Sequence, residues 1–149
     1  MSFVELQRVL PGLRGLRVHV VPAADEAKVR AALTGAGFEI VTVAGSAITN
    51  VSTLFEEMAR AFRFPDYFGH NWAALTDCLR DLGDRESPRI AVLWLDADAS
   101  LEVDLQTFLD ANQVLDLVAS ELAEGDALIK PYQLEVFLLG AGPGFAAHG

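Results

Sequence analysis

The run Arg89-Ile90-Ala91-Val92-Leu93-Trp94-Leu95 constrains the fold of this chain more than any other stretch. Six successive apolar residues leave no polar face for water, so a strand built from them has to be covered on both sides. Gln133 to Leu139, apolar from Val136 on, reads as the last strand, and Leu16 to Val21 and Phe38 to Val43 read as two further strands. Between them lie helical patterns. Asp25 to about Thr34 directs Val29, Ala32 and Leu33 inward and ends at Gly35 and Gly37. Leu54, Met58 and Phe62 form the inner stripe of a helix that begins near Ser52 or Thr53 and stops before Phe64-Pro65. Thr53 with Glu56 has the spacing of a capping box. Strands separated by helices predict an α/β fold with a mainly parallel sheet.

A third helix starts at Asn71, a residue suited to an N-cap. Its large apolar residues fall at 72, 75, 79 and 82, on one side. The opposite side carries Ala73, Asp77, Arg80, Asp81 and Asp84. Trp72, Leu75, Leu79 and Leu82 are therefore expected to be buried, and Asp77 and Asp81 exposed together. Gly83 to Pro88 reads as a charged turn. Asp104 to about Ala123 is helical through Leu105, Phe108, Leu109, Leu115, Val118 and Leu122, with a break expected near Asn112. Gly140 to Gly149, rich in glycine and alanine, reads as a loosely held tail.

The 149 residues, 52% hydrophobic and 21% charged with mean hydropathy +0.30, fit one compact domain, 1–149. The longest apolar runs are too short to span a bilayer. The N-terminus lacks a basic segment followed by an apolar core and a small-residue cleavage site, so a cytoplasmic protein is expected. Eleven basic against 21 acidic residues give a net charge of −10. Such a field disfavours direct nucleic-acid binding, which needs clustered Lys and Arg, and favours fast capture of a basic partner. The single cysteine, Cys78, excludes an internal disulfide. His19, His70 and His148 lack metal-ligand spacing, and no metal is expected. Gly140, Gly142 and Gly144 follow a strand without a helix to receive a dinucleotide, so no cofactor is expected.

The segment Phe64-Pro65-Asp66-Tyr67-Phe68-Gly69-His70-Asn71-Trp72-Ala73-Ala74-Leu75-Thr76-Asp77-Cys78-Leu79 carries features that folding alone does not demand. Pro65 fixes one backbone angle, and Gly69 admits a conformation closed to other residues. Tyr67 and Asp77 have no place in the apolar stripe. The segment resembles the barstar family of intracellular ribonuclease inhibitors at Pro65, Asp66, Tyr67, Phe68, Gly69, Asn71, Ala74, Leu75, Asp77, Cys78 and Leu79. The resemblance extends more loosely from about Phe38 to Gly140. It leaves residues 1–37 as an added N-terminal strand–helix unit and 141–149 as the tail.

That resemblance implies a small, mainly parallel sheet flanked by helices and a role in binding rather than catalysis. It implies that Asp77 enters a nuclease active site in place of a substrate phosphate, a role suited to an anion that accepts paired hydrogen bonds from Arg. Tyr67 would be an aromatic anchor, and Phe68, Gly69, Asn71, Ala73, Thr76 and Asp81 would complete the partner-binding surface. The partner would be a basic nuclease or nuclease-like toxin. Three positions depart from the family pattern. Ala73 stands where the family has a second acid, and Thr76 where it has a helix tryptophan. The late-helix acid aligns nearest Ser120, with Glu121 adjacent. These differences point away from barnase as target, with compensation from Asp81 or Asp84. Two other classes stay open: an interaction module on the same fold that binds another basic protein, and a metal-dependent phosphotransferase using Asp96 and Asp98.

Overall fold

A computed structural model describes residues 3–13, 15, 17–85, 87–125 and 131–145. Four strands form one sheet: β1 (Val18–Pro22), β2 (Glu39–Ala44), β3 (Arg89–Leu95) and β4 (Gln133–Gly140), in the order β1-β4-β3-β2 and parallel throughout. Leu16, at the start of the first expected strand, and residues 146–149 of the tail lie outside the described residues. The helices are α1 (Leu6–Val9), α2 (Glu26–Gly35), α3 (Val51–Phe62), α4 (Trp72–Arg80), α5 (Ala97–Val103) and α6 (Leu105–Glu124).

The apolar run of β3 sits in the middle of the sheet, and alternation divides it between two cores. Ile90, Val92 and Trp94 join Val136 and Leu138 of β4 beneath α3, α4 and α6. Ala91 and Leu93 join Phe137 and Leu139 beneath α1 and α2. The N-terminal unit is therefore part of the fold, because β1 pairs with β4 and α2 covers the second face. On that face the buried His19 and Glu135 side chains meet at 2.8 Å, and Gln133 donates to the same carboxylate while also bonding the backbone of Val4.

Helix ends follow local chemistry. The N–H groups of Gly37 and Phe38 return to the carbonyls of Thr34 and Leu33, with Gly37 at φ +88°. This left-handed stop is the reason glycine follows α2. The cap of α3 differs from the expected one: Asn50 is the cap residue, and Thr53 answers it by accepting from the Asn50 N–H. Asn50 competes successfully because its amide oxygen reaches the Thr53 N–H, so the box lies earlier than Thr53–Glu56. The outer edge of β2 is guarded by Glu57, whose buried carboxylate accepts from the Ala44 N–H at 2.6 Å and pairs with Arg60. Burial acts to raise the Glu57 pKa, yet the bonds from Arg60 and Ala44 hold it below its usual value.

α6 runs unbroken through Asn112, contrary to expectation. The Asn112 side-chain nitrogen donates to the Phe108 carbonyl one turn back, which holds the residue within the helix, while its buried Oδ1 has no hydrogen-bond partner among the described residues. α5, absent from the sequence reading, starts from Asp96, which is in the left-handed region at φ +51°. No helix among the described residues is long and apolar enough to cross a membrane.

Candidate partner-binding surface

The chain leaves α3 through Arg63, left-handed at φ +58°, and crosses to α4 by the loop 64–70. The aromatic rings of this loop are divided between core and solvent. Phe64 stacks on Phe62 with centroids 5.6 Å apart, and Phe68 packs 5.0 Å from Phe64 and 6.2 Å from Phe55. Phe68 is only 6% exposed. The sequence reading places it among the contact residues; in the structure its ring is drawn into the core and supports the loop from below. Burying such a ring contributes roughly 2–3 kcal/mol. Tyr67, its neighbour, points outward and is 81% exposed, the most exposed large apolar side chain described.

The backbone conformation closed to most residues is not at Gly69. It is His70 that adopts positive φ, at +49°, with its ring 4.9 Å from Phe68. At Gly69 a Cβ would lie 3.1 Å from the Asn71 amide nitrogen, so a side chain there would press on the capping amide. That amide donates to the Gly69 carbonyl at 3.1 Å, while the Asn71 side-chain oxygen accepts from the Ala74 N–H at 2.8 Å. Asn71 thus fixes loop and helix to one another. The cap leaves the entry to α4 rigid, which is what an exposed anchor beside it requires.

Along α4, Leu75, Leu79 and the following Leu82 are buried. Trp72 is not fully so: it is half-buried, in an edge contact with Phe55 at 5.0 Å, because α6 leaves one side of it open. Ala73, Asp77 and Asp81 are exposed, and Asp77 is 76% so. Thr76 is half-buried and donates its hydroxyl to the Trp72 carbonyl. Arg80 lies 3.4 Å from Asp77 but is held by two hydrogen bonds to Glu121 of α6, at 2.7 and 3.0 Å. The pair lowers the pKa of Glu121 and raises that of Arg80. Sequence reasoning placed Glu121 only as a neighbour of an expected acid. Its partnership with Arg80 joins residues 41 apart, which no local periodicity reveals.

Burial pushes the Cys78 thiol up, and the nearby Asp81 and Asp77 carboxylates add to the effect. The thiol is therefore poorly nucleophilic. Asp96 is exposed at the end of β3 and Asp98 is half-buried in the first turn of α5. Among the described residues no three His, Cys, Asp or Glu side chains come together as a metal site.

Fold and surface together define a parallel α/β protein that presents an acid-bearing helix and an outward tyrosine from a capped, aromatic-backed loop. Residues 38–132 match the family model described as Barstar (barnase inhibitor), and the chain belongs to the Barstar family. No curated protein matches the chain.

Proposed function

We propose that this protein is an intracellular, cytoplasmic inhibitor of a ribonuclease or nuclease-like toxin, acting by capping the enzyme's basic cleft. It is a binding protein and carries out no catalysis. Asp77 stands in for a substrate phosphate among the nuclease's cations, and Tyr67 seats the loop beside it. Gly69, Asn71, Ala73, Thr76 and Asp81 complete the surface, with Phe68 acting from beneath. The observation that supports this most directly is the joint exposure of Tyr67 and Asp77 on either side of the Asn71 cap, within the segment matched to the family. A net charge of −10 accelerates encounter with a basic enzyme.

The test is RNA cleavage by a barnase-type ribonuclease, and by any nuclease co-purifying with the chain, titrated with the purified protein. Stoichiometric loss of cleavage supports the reading. A nuclease that is bound but fully active refutes it, and supports the second reading. That reading is an interaction module on this fold for another basic protein, and it is favoured by Ala73 and Thr76, where an acid and a tryptophan of the family pattern are missing.

A further inference from the structure

Between α4 and α6 runs a groove of about 300 Å³, lined by Trp72 from α4 and by Asp110, Gln113, Val114 and Leu117 from α6. The fold does not need it open. Val114 and Trp72 touch the core with only part of their surface, and Leu117 is 50% exposed although it stands on a helix with a complete inner stripe. The residue of α4 next along this side is Thr76, whose short side chain turns back to the Trp72 carbonyl. Nothing from α4 therefore covers the gap. At the rim, one carboxylate oxygen of Asp110 accepts from Gln106 at 2.8 Å, and the other has no hydrogen-bond partner among the described residues.

Apolar walls with one open carboxylate at the mouth match one kind of side chain: a long aliphatic stem that ends in a cation. From the charge and shape of this groove we infer that it is a second subsite, which receives an arginine side chain of the basic partner. The stem lies along Val114, Leu117 and the indole of Trp72, and the guanidinium pairs with Asp110. A planar fork that tolerates contact with an aromatic ring and bonds a carboxylate favours arginine over lysine. Ala73 and Asp77 are exposed on the same helix as Trp72, so one partner surface can span both places. The subsite supplies specificity that Ala73 and Thr76 do not. This inference rests on the cleft-capping reading for the identity of the partner, and its test is independent of it.

The probe is N-acetyl-arginine amide titrated into the isotope-labelled full chain, observed by two-dimensional NMR, with the norleucine analogue as an uncharged control. A ligand of this size is expected to bind with a Kd on the order of millimolar. Saturable shifts should appear at the Trp72 indole and at the amides of Gln113, Val114 and Leu117. The Trp94 indole, buried and bonded to Ser100, should stay still. Asp110→Asn should weaken the response at least fivefold, and Asp77→Ala should leave it intact. Leu117→Gln, which keeps the helix and spoils the apolar wall without adding charge, should weaken it as well. A non-saturating response, one spread over the acidic surface, one unchanged in Asp110→Asn, or an equal response to the norleucine analogue would overturn the subsite. A silent groove together with a ribonuclease that still requires Asp77 would remove this inference and leave the cleft-capping reading standing.

Discussion

Arg80 reaches across from α4 to clasp Glu121 with two hydrogen bonds, and its contact with Asp77 on its own helix is the longer one. The geometry directs the cation's best donors away from the aspartate that the proposed interface needs. The carboxylate of Asp77 stays accessible beside a positive charge already compensated. Glu121→Gln should loosen the clasp and turn Arg80 toward Asp77. The expected result is little change in stability, since solvent screens an exposed ion pair, together with a several-fold loss of partner affinity. Urea unfolding and a binding titration on the same variant check both parts.

Asp77→Ala should leave unfolding unchanged within about 0.5 kcal/mol, because the side chain is exposed and bonded only at 3.4 Å. Binding to the ribonuclease should weaken by at least about 2 kcal/mol, the range known for hot-spot residues of the barnase–barstar pair. Tyr67→Ala should cost less. Raised salt should slow association more than it speeds dissociation. Stopped-flow rates at two ionic strengths decide this; an Asp77→Ala protein that inhibits as well as wild type would falsify the cleft-capping mechanism.

Phe68 and Tyr67 are sequence neighbours with opposite fates, and substitution should separate them. Phe68→Ala removes a buried ring that backs the loop and should destabilise the fold by about 3 kcal/mol. Tyr67→Ala should shift unfolding by less than about 0.5 kcal/mol. Equal thermal midpoints for the two variants would contradict the packing described for the loop.

This division also marks where the sequence stops being legible. The parallel sheet could be read because Ile90 to Leu95 leaves no polar face, and α4 because Leu75, Leu79 and Leu82 share one side. Asn71 as cap follows from its chemistry and position. What periodicity could not reveal is which aromatic of the loop turns inward, since Phe64, Tyr67 and Phe68 lie outside any repeating element. The left-handed residue proved to be His70 rather than Gly69, because tertiary packing of Phe68 sets the loop's path. The Asn112 break failed for a local reason: an asparagine that bonds the carbonyl four residues back stays in a helix. The half-open Trp72 and the Arg80–Glu121 clasp depend on how α4 meets α6, and no pattern within either helix encodes that distance.

Tyr132 offers a prediction at alkaline pH. Its side chain is 3% exposed, and the hydroxyl is buried without a hydrogen-bond partner among the described residues. Burial, with a contribution from Glu39 and an opposing one from Arg85, pushes its pKa up to about 12. In the unfolded chain the phenol loses its proton near pH 10. Between these values the folded state holds a proton that the unfolded state has released, so stability falls as pH rises through this window. A shift of this size corresponds to about 2–3 kcal/mol, all of it present below pH ~10 and lost by pH ~12. Tyr132→Phe removes the titrating group together with the unbonded hydroxyl. At pH 7 the variant should be as stable as wild type or up to about 1 kcal/mol more so, because no hydrogen bond is lost. Above pH ~10 it should outlast wild type by a margin that grows toward pH ~12. Urea unfolding of both proteins in steps across that range measures the difference directly, and parallel curves would show that the Tyr132 hydroxyl is not held in its protonated form by the fold.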